Sequence, residues 1–249
     1  MGHAPSDPDQ FVLDLLSSPE PSLEDGVPGR NHEALTWLAQ FCENTADDTA
    51  PSSLLLWGAP GCGKTFWLTA WARASEPPPI LLDCRQRDAE AQAREGLEAN
   101  IGPQRLWLID NLDAASPPLQ GILFRLWVGL RERGQRLVCS AGAAPARLTH
   151  LREDLRTRLG QGLIFELTEL SEPEQLQALR ERAHRLGWMS SPLSESYDHL
   201  FGYMLTRLPR NLAFLTRLMD AANSRALALQ RPISLPLVRA LFESSLMHA

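Results

Sequence analysis

The sequence predicts an α/β fold: a five-stranded parallel sheet covered by helices on both faces, followed by a small all-helical domain. Three observations carry this. Five short apolar runs alternate with segments of helical periodicity over residues 54–167, and strands that alternate with helices pair in parallel and are buried on both faces. Between the first run and its helix lies a glycine-rich octapeptide, Gly58-Ala59-Pro60-Gly61-Cys62-Gly63-Lys64-Thr65. Beyond about residue 170 the strand signal stops and only helical patterns remain.

In chain order, residues 1–29 are rich in Pro, Ser, Asp and Glu around one apolar island, Phe11-Val12-Leu13-Asp14-Leu15-Leu16. Residues 1–20 are read as a flexible tail, because an island of that length cannot build a core. Leu35, Leu38, Ala39 and Cys42 recur at helical spacing, and Leu54-Leu55-Leu56-Trp57 is a buried strand. A helix continues from the octapeptide over residues 66–74, Pro77-Pro78-Pro79 breaks it, and residues 80–84 are the second strand. The alternation goes on with a helix over 88–99, a strand at 106–110, a helix over 117–133, a strand at 137–140, a helix over 145–159 and a strand at 163–167. The core domain is thus placed at 21–170. Leu176, Leu179, Ala183 and Leu186, then Leu212, Leu215, Leu218 and Ala222, mark a helical domain over 171–249, with a last helix at about 234–247.

At 249 residues with 44% hydrophobic content, the chain can bury a core and a small second domain, so a disordered protein is excluded. Acidic residues exceed basic ones by 30 to 24, a net charge of -6, which disfavours gripping a phosphate backbone and leaves only a local basic face open. Cys42, Cys62, Cys84 and Cys139 lie far apart without a C-x-x-C pair, matching neither a zinc site nor a disulfide framework. They are read as reduced thiols. No Lys or Arg precedes Arg30, and no uncharged apolar run reaches the length of a membrane span. A cytoplasmic protein without membrane attachment is expected.

The octapeptide is a complete phosphate-binding P-loop. Gly61 and Gly63 let successive backbone N–H groups and the start of a helix approach phosphate oxygens closely. Lys64 is expected to reach the terminal phosphates, and Thr65 to hold Mg2+. Of 24 basic residues, Lys64 is the single Lys. A compact ammonium survives here against a bias to Arg everywhere else, where a planar guanidinium would fit the loop poorly. The candidate nucleotide residues are Gly58, Pro60, Gly61, Cys62, Gly63, Lys64, Thr65 and Phe66. Asp110, ending an apolar strand, is placed to bind Mg2+ through water. Asn111 follows it, and a neutral amide accepts no proton at neutral pH, so slow or absent intrinsic hydrolysis is expected.

Pro21-Ser22-Leu23 through Val27-Pro28-Gly29-Arg30-Asn31, the P-loop and Leu208-Pro209-Arg210-Asn211-Leu212 together resemble the DnaA/Hda family of AAA+ proteins over nearly the whole chain. The resemblance implies an AAA+ core with a helical lid, ADP or ATP as ligand, and a base pocket at Val27, Pro28 and Gly29. After the lid one further helical pattern remains, so a DNA-reading helix-turn-helix domain is not expected. With the short N-terminal tail this is similar to the regulatory, Hda-like branch, which inactivates DnaA. In that branch a peptide near the N terminus binds the sliding clamp, the DNA polymerase III beta subunit. Gln10-Phe11-Val12-Leu13-Asp14-Leu15 resembles it, making Gln10, Phe11, Leu13 and Leu15 clamp-binding candidates.

The resemblance also assigns Arg158 as an arginine finger offered to nucleotide on a neighbouring subunit, and Arg210 as the sensor reaching from the lid to the phosphates. Ser140 falls at the first sensor, where the family's nearby acidic residue is replaced by Ala141-Gly142. The function implied is a nucleotide-bound regulator, holding ADP, that docks on the DNA-loaded clamp and supplies Arg158 to ATP on DnaA. The alternative is a self-sufficient AAA+ ATPase such as a helicase-loading factor. Monomer and homodimer with buried fingers both fit the sequence.

Overall fold

Five short leucine-rich runs form strands, and every pair of neighbours is parallel. They are β1 (Ser53–Trp57), β2 (Ile80–Asp83), β3 (Trp107–Asp110), β4 (Leu137–Ala141) and β5 (Leu163–Glu166), in the order β2-β3-β4-β1-β5. The computed structural model describes residues 21–43, 51–98, 106–188, 196–209 and 212–247. Side chains alternate across β1: Leu55 packs into one apolar layer, Leu54 and Leu56 into the other. Trp107 and Ile109 of β3 share the layer of Leu55, and Leu108 lies opposite. The period of two along each strand supplies both faces.

Helices α1 (His32–Cys42) and α2 (Lys64–Ala74) cover the Leu54 face through Leu35, Leu38, Phe41 and Leu68. On the Leu55 face lie α3 (Ala89–Glu98), α4 (Pro117–Glu132) and α5 (Glu153–Leu159). Ser116 caps α4 by accepting the Leu119 N–H, with Pro117 in the first turn where no N–H is needed. Its buried residues Leu119, Ile122, Leu123, Leu126 and Leu130 repeat at three- and four-residue steps, the stripe of a one-sided helix.

One element departs from the sequence reading. The helix expected over 145–159 is a short 3-10 turn, Pro145–Arg147, followed by α5 beginning only at Glu153. Tertiary bonds hold the intervening backbone out of the helix: the Arg152 N–H donates to Gln120 Oε1, His150 Nε2 lies 2.8 Å from the Asp113 carbonyl, and Leu148 and Leu151 are buried. Local propensity is a weak prior against such contacts.

Pro21–Glu169 forms one compact unit, and the described residues from Leu170 onward belong to a second. That second unit consists of α6 (Glu172–Arg185), α7 (Ser196–Arg207), α8 (Leu212–Leu229) and α9 (Leu235–Met247). They enclose a core of their own around Leu179, Phe201, Met204, Leu215, Leu218 and Val238. At the start of α6, Glu174 accepts both the backbone N–H and the hydroxyl of Ser171, at 2.7 and 2.6 Å. Arg182 of α6 is bidentate to Asp220 of α8 and fixes the pairing of those two helices.

Candidate functional site

The chemistry-bearing residues collect where β1, β3 and β4 end. Gly58 leaves β1, its N–H donating to the Ala141 carbonyl at 3.3 Å. A Cβ at Gly58 would stand 2.2 Å from the Leu167 carbonyl oxygen and 2.9 Å from Cys62 Sγ, so only glycine permits this pass. Gly61 and Gly63 have φ of 92° and 97°, the left-handed conformation that turns the loop back on itself before α2. Pro60 and Gly61 are exposed, Cys62 is buried, and Phe66 is half-buried.

Lys64 opens α2 and folds over the loop, donating to the Gly58 carbonyl at 2.6 Å and the Ala59 carbonyl at 3.0 Å. Its ammonium is therefore held at the loop by neutral acceptors. Thr65 donates its hydroxyl proton to Asp110 Oδ2 at 2.6 Å. With that proton committed, the Thr65 oxygen keeps its lone pairs for a cation. A glycine-turned loop, a helix N-terminus, a lysine ammonium and a hydroxyl paired to a carboxylate fit a nucleotide phosphate with Mg2+.

Asp110 is 2% exposed, and donors reach both of its oxygens. Ser140 donates to Oδ1, while Thr65 and the Asn111 amide reach Oδ2. Asn111 stands at φ 54° and ψ 46°, a left-handed position that Asn tolerates better than most side chains. Its Nδ2 donates to Asp110 Oδ2 at 3.0 Å and to Asp83 Oδ1 at 2.9 Å, and its backbone N–H donates to Ser140 Oγ at 2.9 Å. Ser140 is thus bonded to Asp110 and Asn111 at once. Asp83, in register with Asp110 across the β2–β3 pair, is a site carboxylate that sequence reasoning missed. The available signal was its place at the end of a strand. Beyond β4, Asp113 accepts the Gly142 N–H at 3.1 Å, so the glycine following Ala141 is tied to an acid from the β3 side.

Val27 and Pro28 lie between the 3-10 turns Leu23–Asp25 and Gly29–Asn31, and Gly29 opens the second; Val27 is half-buried, Pro28 exposed and Gly29 at φ 51°. Asn31 fastens this segment to the chain beyond β5. Its Nδ2 donates to the Thr168 carbonyl at 2.9 Å and its Oδ1 accepts the Thr168 N–H at 2.8 Å. The pair mimics a strand ladder over 137 residues of sequence, a role that an Asn before a helix did not advertise.

Arg158 stands half-buried in the last turn of α5, its guanidinium over the Phe124 ring at 5.4 Å. Arg152 reaches the same ring at 5.8 Å while paired to Asp154 at 2.6 Å, which holds the Asp154 carboxyl below its ordinary range. An open concavity of about 820 Å³ is lined by Phe124, Arg131, Arg152, Asp154, Arg158 and neighbouring residues, with none of the P-loop residues 58–65 among them. The clamp candidates Gln10, Phe11, Leu13 and Leu15, and the sensor candidate Arg210, lie outside the described residues.

Known proteins place this arrangement. Domain III of the Thermotoga maritima replication initiation protein DnaA superposes with a TM-score of 0.65 at 16% identity, covering 91% of this chain and 98% of that one. AMPPCP-bound DnaA from Aquifex aeolicus gives 0.63 at 18% identity, covering 84% and 67%. The Thermotoga maritima RuvB Holliday junction branch migration motor gives 0.62 at 17%, covering 94% and 73%. These likenesses establish the AAA+ fold. In sequence, an uncharacterized protein of Haemophilus influenzae is 24% identical over 236 residues, covering 92% of this chain and 96% of its own length. Residues 172–242 match the family described as Hda, lid domain. The chain thus carries a C-terminal segment similar to the Hda lid domain after a core with the fold of DnaA domain III.

Proposed function

We propose that the chain is a nucleotide-bound regulator of replication initiation that holds ADP, docks on the DNA-loaded sliding clamp, and stimulates hydrolysis of ATP bound to DnaA. Asn111 carries the reading. Its amide is committed to Asp110 and Asp83, so the residue after Asp110 offers hydrogen-bond donors and no base for activating water. The loop residues are suited to grip: Gly61, Gly63 and Lys64 for phosphates, Thr65 and Asp110 for Mg2+, and Val27, Pro28 and Gly29 for the base. A bound Mg2+ would supply charge neutralisation on the phosphates.

Arg158 is assigned the trans finger. It lines a groove separate from the chain's own loop, and its guanidinium is the planar, permanently charged group suited to charge on a transferred phosphoryl. Arg210 is proposed to report nucleotide state from the lid. Gln10, Phe11, Leu13 and Leu15 are proposed to anchor the clamp, and DnaA is the second partner. Among the described residues no helix is long and apolar enough to cross a membrane. We assign the protein to the cytoplasm, at the nucleoid through the clamp.

The test is ATP hydrolysis by DnaA from the same source with this protein and ADP, with and without clamp-loaded DNA. Clamp-dependent acceleration is expected, lost in Arg158→Ala by a factor on the order of 10^3 or more, with ADP binding retained. No acceleration, together with turnover by this protein alone, would move the assignment to a self-sufficient ATPase. Asp83, joined to Asp110 through Asn111, is the carboxylate such an enzyme would draw on.

A further inference from the structure

Gly26 lies directly against the ring of Trp67. Its φ of -78° and ψ of 133° are extended backbone open to any residue, so no turn requires glycine there. Space does. A Cβ built on Gly26 would fall 2.1 Å from Cη2, 2.5 Å from Cζ3 and 2.9 Å from Cζ2 of Trp67. The clash is with the body of a buried aromatic ring, 8% exposed and held edge-on by Phe66 at 5.3 Å, and not with a side-chain tip that could swing away.

The pyrrole end of the same indole touches the phosphate loop. A Cβ at Gly63 would meet Trp67 Cδ1 at 3.4 Å and Nε1 at 3.5 Å. One rigid side chain therefore spans from the P-loop turn to the residue just before Val27-Pro28-Gly29, and Asn31 pins the other end of that segment to Thr168. The segment is fixed at both ends, once by a backbone-like bond pair and once by the thickness of an indole.

We propose that Trp67 and Gly26 are positioning residues for the base side of the nucleotide site. The indole sets the distance between the phosphate loop and the 27–29 segment, and thereby the discrimination between adenine and other bases. This rests on the reading of the site as an adenine-nucleotide site with its base at Val27, Pro28 and Gly29. A spacing error at a pocket wall weakens the contacts that recognise the base and leaves those to the phosphates intact, so its signature is a change in a ratio of affinities.

The experiment uses the full chain and three probes, ADP, GDP and base-free tripolyphosphate, titrated by calorimetry against wild type, Gly26→Ala, Trp67→Phe and Gly26→Ala/Trp67→Leu. Wild type binding tripolyphosphate but not preferring ADP to GDP would overturn the adenine reading itself. With that preference present, Gly26→Ala is expected to lose about tenfold in ADP affinity and most of the preference for ADP, while tripolyphosphate binding stays within about twofold. Trp67→Phe, which keeps the aromatic packing but shortens the spacer, is expected to lower the same ratio. The double variant, where the smaller leucine makes room for the new methyl, is expected to recover most of it. Parallel losses for all three probes would overturn the proposal, since a merely structural role weakens every ligand alike. So would an unchanged ratio in Trp67→Phe, the variant that tests the idea if Gly26→Ala does not fold.

Discussion

Asn111 joins two carboxylates with one amide, and the chemistry of that bridge depends on its being neutral. Its Nδ2 lies 3.0 Å from Asp110 Oδ2 and 2.9 Å from Asp83 Oδ1, close enough that any acceptor in its place meets lone pairs on both sides. Asn111→Asp changes almost no volume and keeps a residue type tolerant of the left-handed backbone, so packing and strain are held constant. The expected result is a loss of about 1–3 kcal/mol of stability at neutral pH, from broken bonds and three facing carboxylates. Crowded acids raise the folded-state pKa of the new carboxyl. Its penalty is therefore present once pH has risen through that value and fades below it, where the protonated group can donate again. Thermal melts of variant and wild type at pH 5 and 7.5 check this, and an equal deficit at both would sink it. An acid at this position consequently brings repulsion along with the missing base.

At the scale of elements, α3 contains a glycine that looks like a defect. Helix propensity alone says Gly96→Ala should stabilise the chain by roughly 0.5–1 kcal/mol. Packing says the reverse: a Cβ at Gly96 would stand 2.3 Å from Cη2 and 2.6 Å from Cζ2 of Trp107, which is fully buried in β3 beneath the helix. Overpacking in a core costs about 1–3 kcal/mol. The packing penalty outweighs the propensity gain, and Gly96→Ala is expected to lower the urea midpoint by an amount equivalent to about 1–2 kcal/mol net of propensity. A raised midpoint would show that α3 shifts outward at little cost. Gly96 and Gly26 share a logic, since each admits an indole where the backbone conformation alone would accept any residue.

For the molecule as a whole, the parts legible in sequence were those encoded by nearest neighbours in the chain. Leu54-Leu55-Leu56-Trp57 before a complete P-loop identified strand, loop and helix because apolar run, glycine spacing and single lysine are all local. Asp110 was legible for the same reason, at the end of Leu106-Trp107-Leu108-Ile109. Asp83, Asn31 and Trp67 were not, because each acts across the fold: on Asn111, 28 residues away, on a segment 137 residues away, and on a glycine before α1. The split of 145–159 into a turn and a short helix was hidden likewise, being imposed by Gln120 and Asp113.

Two thiols buried at the sheet contribute to the loss of stability at alkaline pH. Cys139 in β4 and Cys84 just beyond β2 are 2% and 6% exposed. Burial, reinforced for Cys84 by Asp83, pushes its thiol up to about 12 from 9.0, and burial raises Cys139 well above the same value. In the unfolded chain both ionise near 9, while the folded chain still holds their protons, so the unfolded state binds fewer protons above that pH. Their contribution is therefore complete below pH 9 and is withdrawn as pH climbs toward about 12. Melting temperatures measured from pH 8 to 10.5 are expected to fall more steeply in wild type than in Cys84→Ala/Cys139→Ala, whose curve keeps only the slope of other groups. Parallel curves would mean that the thiols ionise in the folded chain, which requires water to reach the core beneath β4. The same protonation keeps both sulfurs un-nucleophilic at neutral pH, so iodoacetamide should leave them unmodified in the native protein and label them once urea has opened the sheet.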